Sequence, residues 1–216
     1  MRDVSSLTPE FWEKVFGHGV VAGEPQRIGE GMIGANYRIA LSAKGSDVPS
    51  TVVVKLPSPG DESRAAGVAH RTYEREAKFY MHVAATVDVR RPGCHWVEFD
   101  DASHDFVLVL EDLAPAQPGN QLTGCTVDQA RAAVVESARL HGPRWADPSL
   151  HEIDWLQRRT ARADAELLGA ACGHFITPFL ATYGKYFTDD QNNLVEAFIP
   201  KVADWIDGRK GPLTLG

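Results

Sequence analysis

Cysteine is scarce in this 216-residue sequence, and the little there is lies scattered. Cys94, Cys125 and Cys172 are odd in number, far apart and in no C-x-x-C arrangement. That excludes a disulfide framework and a cysteine zinc site, and reads as reduced thiols in a cytoplasmic protein. There is no basic stripe and no extended run of Lys and Arg, and the net charge is −7, so nucleic acid is not expected as a partner. No apolar run approaches the length of a membrane span. The opening Met1-Arg-Asp-Val-Ser-Ser6 has no stretch of the signal-peptide type. Internal repeats and low-complexity segments are absent too. What remains has the charged and hydrophobic fractions of an ordinary globular chain, 24% and 44%. Its length suits one large domain or two small lobes.

The most informative stretch is Gly29-Glu-Gly31-Met-Ile-Gly34, with Lys55 in Val52-Val-Val-Lys55-Leu 21 residues after its last glycine. Glycines in a tight turn let backbone N–H groups approach phosphate oxygens, and an ammonium on a nearby strand can pair with the same oxygens. A G-x-G-x-x-G run also marks dinucleotide-binding folds, but those need a helix directly after the loop. Here Tyr37, Ile39 and Leu41 alternate with Asn36, Arg38 and Ala40, the period of a strand with one buried face. Lys44-Gly-Ser-Asp47 reads as a turn and Thr51–Leu56 as a second, β-branched strand.

Around this hairpin the pattern is mixed. Thr8-Pro9-Glu10 starts a short helix with Phe11, Trp12, Val15 and Phe16 on one face, ended by Gly17 or Gly19. Strands are expected near 25–30, 35–42, 50–57, 94–99 and 106–110. A helix is expected from about Ala65 to Ala85, interrupted near Gly67, with Glu76, Phe79, Tyr80 and Val83 on one face. Ala114-Pro-Ala-Gln-Pro-Gly119 is the clearest linker. Beyond it the pattern is helical. Thr126 with Gln129 forms a capping box, and Val127, Ala130, Val134, Ala138 and Leu140 or His141 line the helix that follows. Further helices are expected near 152–170, 174–185 and 188–207. The division is thus residues 1–113, a hinge at 114–120, and a helical part at 121–216.

Lys55 lies in an apolar strand and shares a face with Val53, so it is expected to point inward and to need a carboxylate. Glu76, 21 residues on, sits on the helix face that also carries Phe79, Tyr80 and Val83. Glu74 is the alternative on another face, and a solvated Glu76 on a charge-rich helix is the plainer reading. Glu111-Asp112-Leu113 follows the apolar strand. Its backbone, with Glu111 and Leu113 as the contact residues, can meet a purine edge; otherwise it is a strand end with two solvated acids. His141, before Gly142-Pro143, reads as the C-terminal cap of its helix.

Five elements together resemble the aminoglycoside-phosphotransferase and choline/ecdysteroid-kinase-like branch of the protein-kinase-like superfamily. They are Gly29–Gly34, Val52-Val-Val-Lys55, Tyr73-Glu-Arg-Glu76-Ala-Lys-Phe-Tyr80, Val109-Leu-Glu-Asp-Leu113 and Ala138-Arg-Leu-His141. The resemblance runs in order from about residue 25 to 216. It implies an α+β, protein-kinase-like fold: an N-terminal lobe with a five-stranded antiparallel sheet plus helix, a partial helical C-terminal lobe, and ATP in the cleft between them. It implies γ-phosphoryl transfer from ATP, with Mg2+, to the hydroxyl of a small molecule. Gly29, Gly31 and Gly34 would cover the phosphates, Lys55 would hold the α- and β-phosphates, and Glu76 would hold Lys55.

The departure is at the catalytic loop. Family members carry an H-G-D-x-x-x-x-N loop and then a metal-binding aspartate, and neither occurs here. Asp204 and Asp207 are i, i+3 on an expected helix and read as solvated. The expectation is therefore a truncated or proteolysed form of a longer kinase, inactive by itself, with uncovered apolar helix faces that invite homo-oligomerisation. A non-catalytic, pseudokinase-type binding module and, more weakly, a dinucleotide-binding oxidoreductase are the competing expectations.

Overall fold

The alternation after the glycines sets the first strand pairing. β3 (Gly34–Ser42) buries Ala35, Ile39 and Leu41 and pairs antiparallel with β4 (Thr51–Pro57), which buries Val52, Val54 and Leu56. The computed structural model describes every residue except 30–32, 44–46, 121, 157–160, 209–211, 213 and 216. Gly31 and most of the turn expected at Lys44–Asp47 therefore lie outside the described residues. The chain divides into two compact units, residues 1–145 with 214–216, and residues 146–213. The linker read at 114–120 lies inside the first.

The first unit is α+β. Its sheet is antiparallel in the order β1-β3-β4-β6-β5, with β2 also pairing β3. All five expected strands are present: β2 (Gln26–Ile28), β3, β4, β5 (Cys94–Phe99) and β6 (Phe106–Glu111). The sixth, β1 (Val21–Ala22), has two residues and is too short to show any alternation.

Each face of the sheet has its own core. One buries Ile39, Leu41, Val52, Val54, Val107 and Val109 against Phe11 and Trp12 of α1 (Pro9–Phe16). Thr8 caps that helix, and Gly17, at φ +91°, ends it in a conformation that L side chains avoid. The other face buries Phe106, Leu108 and Leu110 against Tyr73 and Ala77 of α3 (Thr72–Lys78). β6 is covered on both sides, which is why its sequence is a continuous apolar run. Each fully buried side chain of this size contributes about 1.5–3 kcal/mol.

The helix expected at 65–85 differs. It begins as α2 (Asp61–Ala69), passes unbroken through Gly67 and breaks at Arg71, φ +55°. It resumes as α3 and runs into a π-helical turn at Phe79–Val83. Gly67 is there for close approach: a Cβ would lie 2.4 Å from Tyr73 Cζ. In sequence, a glycine that breaks a helix and one that admits a neighbour look alike.

Thr126 and Gln129 form the expected capping box of α4 (Val127–His141). The face expected to be lined does not face a core. No α4 residue is buried, and Val127 and Val134 are 74% and 68% exposed. Periodicity finds an apolar stripe; it does not supply the surface to cover it.

The second unit is helical. The helices expected near 152–170 and 174–185 are one element, α5 (Ala161–Tyr183), which begins later than expected and contains Pro178. α6 (Asp189–Phe198) starts at a Thr188–Gln191 capping box, and α7 (Val202–Asp207) packs against α5. Asp204 and Asp207 are solvated as expected, with side chains 74% and 43% exposed, and pair with Arg162 at the surface. They approach Arg162 Nη1 at 2.8 and 3.6 Å. Leu167, Phe175, Phe179 and Trp205 are exposed. Among the described residues no helix is long and apolar enough to cross a membrane, and the three cysteines are free thiols.

Candidate functional site

The β3–β4–β6 register places Asn36 opposite Lys55 and Lys55 opposite Leu108. Directly opposite residues share a face, so Lys55 stands on the side of the sheet that α3 covers. Its Nζ meets Glu76 Oε1 at 2.6 Å. The two side chains are 26% and 27% exposed, so the pair is held yet reachable from solvent. Among the described residues Lys55 has no other partner, which leaves two of its three ammonium donors for an incoming oxygen.

One of the loop glycines, Gly34, lies against this lysine. A Cβ on Gly34 would lie 3.2 Å from Lys55 Cε and 3.5 Å from the Leu56 carbonyl oxygen, so a side chain there would displace the lysine tip. Gly29 adopts φ +69°, the left-handed region that favours glycine. Gly31 lies between them, outside the described residues.

Glu74, the other candidate partner for Lys55, is committed elsewhere. It takes hydrogen bonds from Arg71 at 2.7 Å and from Lys78 at 2.8 Å. The Arg71 hydrogen bonds, helped by Lys78 and opposed by burial, bring its pKa from 4.5 to about 2. A lowered folded-state pKa adds stability that is present above pH 4.5 and is lost as pH falls through about 2. Glu74→Gln is therefore expected to lower stability at pH 7 by on the order of 2 kcal/mol. Urea titrations should show the gap closing between pH 4.5 and 2; a gap that stays constant over that range would contradict the assignment.

Tyr73 was not singled out by the sequence, yet it joins the parts. Its hydroxyl donates to the Ile33 carbonyl and accepts from the Ser58 N–H at 3.2 Å. Its ring stacks on Phe106 with centroids 5.0 Å apart. The end of the glycine loop is thereby tied to α3 three residues before Glu76. The one available signal was that spacing, which puts Tyr73 and Glu76 on adjacent turns of one helix.

Beyond β6, neither acid is merely solvated. Glu111 donates its N–H to the Gly93 carbonyl at 2.8 Å, while the Gly93 N–H goes to the Glu111 carboxylate at 3.0 Å. The Gly93 amide is thus not taken by the Glu111 carbonyl. Asp112 takes a bidentate pair from Arg38. The Leu113 carbonyl accepts from Ala116, and among the described residues its N–H has no acceptor. His141 is the last residue of α4, as expected, but its shielded Nδ1 has no partner among the described residues.

Two concavities, of about 360 and 340 Å³, lie elsewhere, one lined by Gly169, Gly173 and Ala203, the other by Trp12, Val20 and Ile39. Among the described residues no three His, Cys, Asp or Glu side chains gather to hold a metal ion. Compared with family models and with curated proteins, the chain matches none.

Proposed function

We propose that the first unit binds ATP as the nucleotide-holding part of a small-molecule O-phosphotransferase of the aminoglycoside-phosphotransferase-like kind. The observation that carries this is the Lys55–Glu76 contact at 2.6 Å beneath Gly34. An ammonium held by one carboxylate, with glycine backbone beside it, suits the oxygens of a polyphosphate. The Leu113 N–H, without an acceptor among the described residues, and the Glu111 carbonyl offer a donor and an acceptor two residues apart, the complement of a purine's ring nitrogen and amino group. Mg2+ enters this reading only as the cation the phosphates carry, because no three His, Cys, Asp or Glu side chains among the described residues gather to build its site.

The acceptor hydroxyl has no assigned partner in this chain. With no H-G-D-x-x-x-x-N loop in the sequence, these residues hold a nucleotide and do not move its phosphoryl group. A nucleotide-binding module without turnover is a second reading of the same Lys55–Glu76 geometry.

Calorimetric titration with MgATP tests the shared core of both readings. Saturable 1:1 binding is expected. Gly34→Val should weaken it by about tenfold or more, because the added methyls displace the Lys55 tip. Titrations with NADH serve as the contrast: binding of the dinucleotide and not of MgATP would overturn the proposal.

A further inference from the structure

We infer that Arg38 and Asp112 form a positioning clamp that sets the backbone at Leu113 for a purine edge, an inference that rests on the nucleotide-binding reading above. Arg38 Nε and Nη2 donate to the two Asp112 oxygens at 2.7 and 3.0 Å. A fork-to-fork pair fixes orientation as well as distance. The Asp112 side chain is only 4% exposed. It also accepts the Ala114 N–H at 3.1 Å. With Arg38 foremost, these donors hold its carboxyl below the ordinary range.

Two segments thus meet on one carboxylate: the middle of β3 and the chain just past β6. Leu113 lies between the two residues pinned there, Asp112 and Ala114. Its N–H is the group with no acceptor among the described residues, so the clamp fixes a donor that is otherwise unused. The register adds a second constraint. Arg38 is opposite Val53 and Asn36 is opposite Lys55, so the clamp and the ammonium are two residues apart on one strand pair, roughly 7 Å. One hairpin therefore sets both the base end and the phosphate end of a bound nucleotide. Lysine cannot replace Arg38 in full, since a single ammonium cannot reproduce the fork.

The test is calorimetry on the full chain with three ligands: MgATP, adenosine and magnesium tripolyphosphate. Arg38→Ala is expected to weaken adenosine and MgATP by about tenfold or more and to leave tripolyphosphate within about twofold. Arg38→Lys should recover part of the loss. Lys55→Met should show the reverse split, losing tripolyphosphate and keeping adenosine. Where Arg38→Ala leaves too little folded protein, Arg38→Ala/Asp112→Ala removes the orphaned carboxylate and carries the same expectation. Equal weakening of all three ligands together with a fall in Tm would make the pair a structural brace and overturn the clamp. So would unchanged binding of all three. Wild-type protein that binds neither MgATP nor adenosine overturns the nucleotide reading itself, a result distinct from the other two.

Discussion

Lys55→Met is expected to weaken MgATP binding by about tenfold to a hundredfold while barely moving the unfolding midpoint. The two effects separate because the lysine plays unequal parts in them. Among the described residues it makes one ion pair, with Glu76, and both side chains are about a quarter exposed. Such pairs are worth about 0–1 kcal/mol, because water solvates either partner nearly as well. Methionine keeps the apolar stem, and Glu76 can turn toward solvent. Toward a polyphosphate the same ammonium makes charge-assisted hydrogen bonds, worth about 1.5–3 kcal/mol each. Every 1.4 kcal/mol lost is tenfold in affinity. Glu76→Gln should lie between wild type and Lys55→Met, since it removes the charge that aims the ammonium but keeps a hydrogen-bond acceptor. The contrast is read by calorimetry beside thermal unfolding. Wild-type affinity in Lys55→Met would remove Lys55 from the site, and a large fall in Tm would make it a structural residue.

Those parts of the fold that were legible in sequence are the ones whose signals are local or periodic. β3 and β4 declare themselves by alternation, α1 by Thr8-Pro9, and β6 by its unbroken apolar run. The Lys55–Glu76 pair was legible for a chemical reason. A lysine in a buried strand needs a carboxylate, and the helix expected at 65–85 carries one, Glu76, on its inward face. Arg38–Asp112 was not, because 74 residues separate the partners and only the sheet register joins them. Each alone looks like an ordinary polar surface residue. Tyr73–Ile33, 40 residues apart, was hidden in the same way. The helical breaks went astray for a different reason. Glycine and proline penalties are about 1 and 3 kcal/mol, small enough for packing to override. So α2 runs through Gly67, and α5 runs through Gly173 and Pro178. The capping box at Thr188–Gln191 is readable from its residues, since a Thr followed three positions on by Gln is a local signal.

Gly67→Ala is expected to destabilise the first unit by about 1–3 kcal/mol, against the helix propensity of the substitution. Alanine is about 1 kcal/mol better than glycine inside a helix, and Gly67 sits inside α2. Propensity alone therefore predicts a gain. Packing decides otherwise. The new methyl carbon would lie 2.4, 2.7 and 2.8 Å from Tyr73 Cζ, Oη and Cε2, well inside contact distance. The ring cannot yield cheaply: it is 2% exposed, stacked on Phe106 and held through its hydroxyl by Ile33 and Ser58. Pushing it aside strands the buried Ser58 N–H, which costs about 1–3 kcal/mol. The strain and the lost hydrogen bond exceed the propensity gain. The sign should reverse when the obstacle goes. Tyr73→Leu removes Cζ, Oη and Cε2, and in that background Gly67→Ala should stabilise by up to about 1 kcal/mol. Urea unfolding of the four proteins, followed by far-UV circular dichroism, closes the cycle with a coupling of about 2 kcal/mol or more. If Gly67→Ala stabilises the wild-type background, close approach to Tyr73 is not what keeps glycine at position 67. If it destabilises and also weakens MgATP binding, the Tyr73–Ile33 tie transmits the strain from α2 to the glycine loop.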